Sequence, residues 1–145
     1  MKMRKTSRKA GFTLVELMVV AIIVAILAAV SIPLMSGNKR RAAATEAEAG
    51  LGTIRSCLRA MYAETEAYNV KPGGSALGTG TITSNSVPGI RAGDLAGTYW
   101  QEGNYSVTAV DATTFTLTAS GSTNPVVSGV SITMDEAGKI IRTGI

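Results

Sequence analysis

Apolar residues are concentrated near the beginning of the chain. Between Leu17 and Val30 no polar side chain occurs, and the apolar character continues beyond Ser31 to Met35. Counted from Phe12, the stretch is longer than the roughly 20 residues that a helix needs to cross a bilayer. The pattern therefore predicts a membrane-spanning helix over residues 12–35.

A second helical pattern follows the apolar run. Residues 42–49 are mostly alanine and glutamate, which favour a helix. Apolar side chains then recur at spacings of three and four, at Leu51, Ile54, Leu58, Met61 and Tyr62. We expect an amphipathic helix over residues 36–70, ending near Asn69, whose apolar face is covered by the rest of the chain.

The remaining residues change from a loop composition to a strand composition. Residues 71–97 are rich in Gly, Ser and Thr and predict a connecting loop. Over residues 98–145 apolar and polar positions alternate, as in half-buried strands. The alternating apolar positions are Tyr105, Val107 and Ala109, then Phe115, Leu117 and Ala119, then Val130, Ile132 and Met134. Residues 139–142, Lys-Ile-Ile-Arg, predict a last short strand. We expect an α+β fold, with the long N-terminal helix packed on a small antiparallel sheet of three to four strands.

Basic residues cluster ahead of the apolar run. The chain has a net charge of +4, yet five Lys and Arg residues precede Gly11, so the remainder carries 9 − 10 = −1. A near-neutral body has no long-range attraction for phosphates, and we expect no direct binding of nucleic acid. The positive-inside rule places residues 1–11 on the cytoplasmic side, although Lys39, Arg40 and Arg41 oppose this with three charges.

The position of the small residues Ala10 and Gly11 distinguishes this chain from an ordinary secretory precursor. A secretory signal is cut after its apolar core. Here the small pair comes before the core. Cleavage between Gly11 and Phe12 would remove a basic leader, residues 1–11, and keep the apolar helix in the mature protein.

Glu16 is a carboxylate at the start of an apolar helix, where a charge costs several kcal/mol unless it is neutralised or paired. Cleavage after Gly11 would create a positively charged amine on Phe12, four residues away. In an assembly, the Phe12 amine of an incoming subunit would pair with Glu16 of its neighbour and set the register. The alternative is an acid that is tolerated near the membrane interface.

The segment Lys9-Ala10-Gly11 followed by Phe12-Thr13-Leu14-Val15-Glu16 resembles the leader of type IV pilins and of type II secretion pseudopilins. The resemblance implies that a prepilin peptidase cuts after Gly11 and methylates Phe12. It also implies that the helix bends at Pro33. No cofactor is implied.

The resemblance leaves two functions open. One is a subunit of a type IV pilus, which supports adhesion, motility or DNA uptake. The other is a pseudopilin of a type II secretion system. Both imply a homopolymeric filament, an inner-membrane stage before assembly, and partners in the assembly machinery; a pilus would be extracellular. A calcium-loop motif of the major pseudopilins is missing, which favours the pilus modestly.

Catalysis is not expected. The chain has no His, which is the commonest general base, and no Gly-x-Ser-x-Gly motif. The single Cys57 excludes an intrachain disulfide and a zinc site built from Cys and His. Lipidation, a redox role or an intermolecular disulfide are alternatives for Cys57, but a small residue packed against the globular part is favoured.

Other polar residues are interpreted as structural. Asp135 and Glu136, beside Gly138, would offer two carboxylates to calcium, but a solvated turn is favoured and no metal site is expected. The pairs Glu46/Glu48 and Glu64/Glu66 are interpreted as solvated charge. Trp100 is expected to pack in the sheet or an interface.

Overall fold

The computed structural model describes residues 11–121 and 124–145. The chain divides into two compact units, Met1–Met35 and Ser36–Ile145. Of the predicted leader, only Gly11 belongs to the described residues.

Helix α1 spans Leu14–Thr65. Its N-terminus is fixed by Thr13, whose Oγ1 accepts a hydrogen bond from the backbone N–H of Glu16 at 3.2 Å. The helix ends before Asn69, so the predicted end is wrong by four residues. Glu66 adopts a left-handed conformation with φ 57°, and its N–H still reaches the carbonyl of Tyr62 at 2.8 Å. This arrangement stops the helix.

The second unit contains a five-stranded antiparallel sheet in the order β1-β2-β3-β4-β5. The strands are β1 Gly80–Thr81, β2 Tyr105–Val110, β3 Phe115–Ser120, β4 Ser131–Asp135 and β5 Ile140–Thr143, and a short 3-10 helix, Glu102–Asn104, precedes β2. The α+β fold is confirmed, with one strand more than expected. The additional strand is β1, which has only two residues and therefore no alternating pattern to reveal it.

The core of the second unit lies between α1 and the sheet. Leu51, Ile54 and Leu58 are fully buried, as are Leu117 and Ile132 from the sheet. The predicted apolar face of the helix is therefore confirmed, except at its end. There Tyr62 remains 36% exposed and stacks on Tyr68, with ring centroids 4.5 Å apart.

A bulge in β2 changes which side chains reach the core. Val107 pairs with Leu117, but Ala109 pairs with Thr116, so Thr108 is an extra residue in β2. Ala109 is consequently exposed, and Val110 packs against the core instead. The expected buried position of Ala109 is thus wrong.

The predicted connecting loop, residues 71–97, is mostly without regular structure, yet it contributes to the core. Its buried apolar residues are Leu77, Ile82, Val87, Ile90 and Leu95. Few apolar side chains stand among many Gly, Ser and Thr residues, and they are not periodic. The sequence pattern therefore gives no sign of their burial.

Candidate functional site

The predicted cleavage site lies outside helix α1. Gly11 and Phe12 precede the helix and are exposed, and the Phe12 side chain is 69% exposed. A Cβ at Gly11 would meet no atom within 4 Å. The peptide bond between these residues is therefore accessible in the described part of the chain.

Glu16 lies in the first turn of α1. A negative charge at a helix N-terminus is stabilised by the free N–H groups and the helix dipole. Thr13 and Glu16 also have the three-residue spacing of a capping box, a signal that the sequence interpretation did not use. The position gives Glu16 a local structural role in addition to the predicted one.

Between Leu17 and Met35 the surface of α1 is apolar on all sides. The large apolar side chains between Phe12 and Met35 are each at least 50% exposed, and Leu14 reaches 74%. Within the described residues, α1 is long and apolar enough to cross a membrane. Monomeric soluble proteins rarely expose so much apolar surface, and this surface needs lipid or protein to cover it. The helix continues through Pro33, and the predicted bend there stays a prediction.

In the second unit, Glu46 fixes a loop onto α1. Its Oε1 accepts hydrogen bonds from the backbone N–H groups of Tyr99, at 2.9 Å, and Trp100, at 3.0 Å. The fully buried Trp100 donates from Nε1 to the carbonyl of Ala43 at 2.7 Å. A Cβ at Gly97 would collide with the Glu46 carboxylate, so a larger residue there would displace the carboxylate from these hydrogen bonds.

Glu48, the other member of the Glu46/Glu48 pair, also has a partner. Glu48 accepts hydrogen bonds from Nε of Arg142 and, at 3.0 Å, from Nη2. Glu48 raises the pKa of the Arg142 guanidinium, first by hydrogen bonding and then by its charge. The interpretation of Glu46 and Glu48 as solvated charge is therefore wrong, because each faces a different partner. Glu64 and Glu66 are exposed.

Burial affects two other titratable side chains. It raises the pKa of the Tyr105 phenol to about 12, with a further contribution from Glu46. It also raises the pKa of the Cys57 thiol, with Asp94 adding to the effect. Cys57 is half-buried against the core, and a Cβ on Gly89 would lie 3.3 Å from its Sγ. A neutral thiol packed against the loop agrees with the favoured interpretation.

The turn at Asp135 is closed by hydrogen bonds between its own residues. Asp135 Oδ1 accepts from the N–H of Lys139 at 2.8 Å, and Gly138 has φ 87°. The carbonyl of Glu136 accepts from Nε of Arg55 at 3.0 Å. Within residues 11–121 and 124–145, no three Asp, Glu, Cys or His side chains group together as a metal site would require.

Comparison with known proteins identifies the first part of the chain. Residues 6–32 match the family described as the prokaryotic N-terminal methylation motif. The chain is similar to the type II secretion system core protein G of Escherichia coli (strain K12), with 38% identity over 56 residues. The match covers 39% of this chain and 39% of that protein, so it spans about two fifths of the relative's length. No solved structure matches the chain.

These findings agree with the fold. A methylation motif, an apolar helix and an α+β body are the features of a pilin-like protein. The N-terminal segment therefore carries the methylation motif and is similar to that of a type II secretion protein, which supports a pilin-like or pseudopilin-like protein. The motif and the helix support membrane anchoring.

Proposed function

We propose that the chain is a structural, non-catalytic subunit of a type IV pilus. A prepilin peptidase cuts between Gly11 and Phe12, the new N-terminus at Phe12 is methylated, and subunits polymerise through α1. The observation that carries the proposal is the apolar surface from Phe12 to Met35, exposed on all sides and preceded by the methylation motif.

That apolar surface is covered first by lipid and later by neighbouring subunits. In the inner membrane, lipid covers the apolar helix. Once the helix leaves the bilayer, the helices of neighbouring copies take the place of lipid, and burial of apolar area drives the polymer. The inner membrane, the peptidase and methylase, and the assembly machinery are therefore the partners of the proposed subunit. Adhesion or motility would follow from an extracellular filament.

Glu16 sets the register of the proposed filament. A carboxylate enclosed by apolar helices is stable only when it is paired, and the Phe12 amine of a neighbour supplies the opposite charge. A subunit in the wrong register leaves both charges unpaired. We infer that this penalty selects the correct axial position.

The test compares substitutions of Glu16, in the first turn of α1, and of Thr13, which precedes the helix and accepts the Glu16 N–H. Glu16→Gln removes the charge but keeps the size, and we expect normal cleavage and loss of filaments. Thr13→Ala removes the hydroxyl that accepts the Glu16 N–H, and we expect filaments to persist. Immunoblots of the cell fraction report cleavage, and immunoblots of the sheared fraction report filament formation. Wild-type filament yield from Glu16→Gln would refute the pairing, and equal losses from both variants would reduce Glu16 to a helix-capping role.

The second candidate is a pseudopilin of a type II secretion system. It is favoured by the similarity to the core protein G of such a system. Fractionation separates the two functions: a processed chain in filaments sheared from the cell surface supports the pilus, whereas a processed chain that stays with washed membranes supports the pseudopilin.

A further inference from the structure

The face of α1 that points away from the sheet carries a strip of small residues. Its members recur at spacings of three and four, so they lie on one side of the helix. They are Thr45, Ala49, Gly52, Ser56, Ala60 and Ala63. All are exposed except Gly52, which is partly exposed.

The hydroxyl groups along this strip face the helix backbone. Thr45 Oγ1 donates to the carbonyl of Arg41 at 3.2 Å, and Ser56 Oγ donates to the carbonyl of Gly52 at 2.9 Å. Thr53, at the edge of the strip, donates in the same way to Ala49 at 3.1 Å. These donors are satisfied within the helix, so a neighbour can cover the strip without leaving them unpaired.

Two opposite charges border the strip on the same side. Lys39 and Glu64 are both exposed, and neither has an ion-pair partner among residues 11–121 and 124–145. They are 25 residues apart, which is about seven helical turns, so they share a face. At 1.5 Å per residue they are about 37 Å apart along the helix, far too distant to meet within one chain.

We propose that the strip is an interface for a second copy of this chain, displaced along the helix by about seven turns, with Lys39 of one copy paired with Glu64 of the next. Charge complementarity argues for this occupant, because at that displacement Lys39 of one copy and Glu64 of the other, which have opposite charges, lie at the same level.

The pairing rests on the proposed filament and adds a second axial constraint to it. An interface that joins two different surface patches repeats from copy to copy and produces a filament instead of a closed dimer. An exposed ion pair contributes little to the stability of an interface. The role of this pair is therefore specificity, because a wrong displacement would place like charges together or leave a charge unpaired.

The test applies a carbodiimide, which joins an amine directly to a carboxylate that it touches, to intact filaments of the full chain. We expect an amide between Lys39 and Glu64, located by peptide mass spectrometry, in filaments but not in detergent-dispersed subunits. Lys39→Arg keeps the charge and should assemble but lose this cross-link. Intact filaments that yield cross-links at other lysines but none at Lys39 would overturn the pairing and leave the proposed function standing.

A charge exchange tests the same pair through assembly. Lys39→Glu and Glu64→Lys should each lower filament yield several-fold, and the two substitutions together should restore it. Failure of the double variant to recover yield would also overturn the proposal. A separate result, the absence of any filament from the unmodified chain, would refute the proposed function itself.

Discussion

Glu46 and Glu48 lie two residues apart on α1, yet their contacts indicate that they contribute unequally to the free energy of unfolding. Glu46 accepts two backbone N–H groups of the loop that carries Trp100, at 2.9 and 3.0 Å. A hydrogen bond to a charged group contributes about 1.5–3 kcal/mol. Glu46 is partly exposed, which reduces each contribution. We therefore expect Glu46→Ala to lower the free energy of unfolding by about 2–3 kcal/mol.

The single Trp of the chain reports this change directly. Trp100 is buried beside Glu46, so its fluorescence follows the loss of the loop contact during urea unfolding of the full chain in detergent micelles. The linear extrapolation gives the free energy of unfolding for each variant.

Glu48→Ala provides the matched control. It removes an ion pair with Arg142, whose side chain is 55% exposed, and exposed pairs contribute little. The expected order is thus a large loss for Glu46→Ala and a small one for Glu48→Ala. Equal losses, or a larger loss for Glu48→Ala, would refute the view that Glu46 holds the loop on the helix.

Two further predictions concern Tyr105. Gly50→Ala should destabilise the second unit by about 1–3 kcal/mol, because the new Cβ collides with the buried Tyr105 ring. Gly52→Ala, whose Cβ would meet no atom within 4 Å, should stabilise it by about 0.4–1 kcal/mol. The same urea assay measures both variants, and a change of the same sign in the two free energies of unfolding would contradict the packing. The pKa of Tyr105 is about 12 in the folded chain and 10 for a free phenol, so below pH 10 both states keep the proton and stability is unaffected. As pH rises through the interval from 10 to 12, the unfolded chain releases a proton that the folded chain retains, and stability falls. Tyr105→Phe should remove this dependence, and an unchanged alkaline loss in that variant would assign it to another group.

Sequence periodicity predicts the elements whose side chains face one core. The helix face from Leu51 to Met61 and the alternation in β3 and β4 are regular, and the structure buries them as expected. The bulge at Thr108 is different. A single extra residue leaves the alternation of residue types intact while it reverses the sides on which they lie, so the pattern alone misplaces Ala109.

The polar contacts were less predictable than the core. Glu46 and Glu48 have the same residue type and the same local sequence surroundings, and only the position of the loop at Tyr99 and of β5 gives them different partners. In contrast, the signal in the N-terminal segment is local in sequence. Gly11, Phe12 and Glu16 form a pattern within six residues, and no long-range contact is needed to recognise it. That difference explains why the sequence reveals the methylation motif but not the attachment of the loop to the helix.

Intact-mass analysis of the chain recovered from cells tests the central claim most directly. Sheared surface material and washed membranes are analysed separately. The account predicts a species that lacks residues 1–11, begins at Phe12 and carries one additional methyl group, present in the sheared fraction. A chain that retains residues 1–11 in both fractions would contradict it.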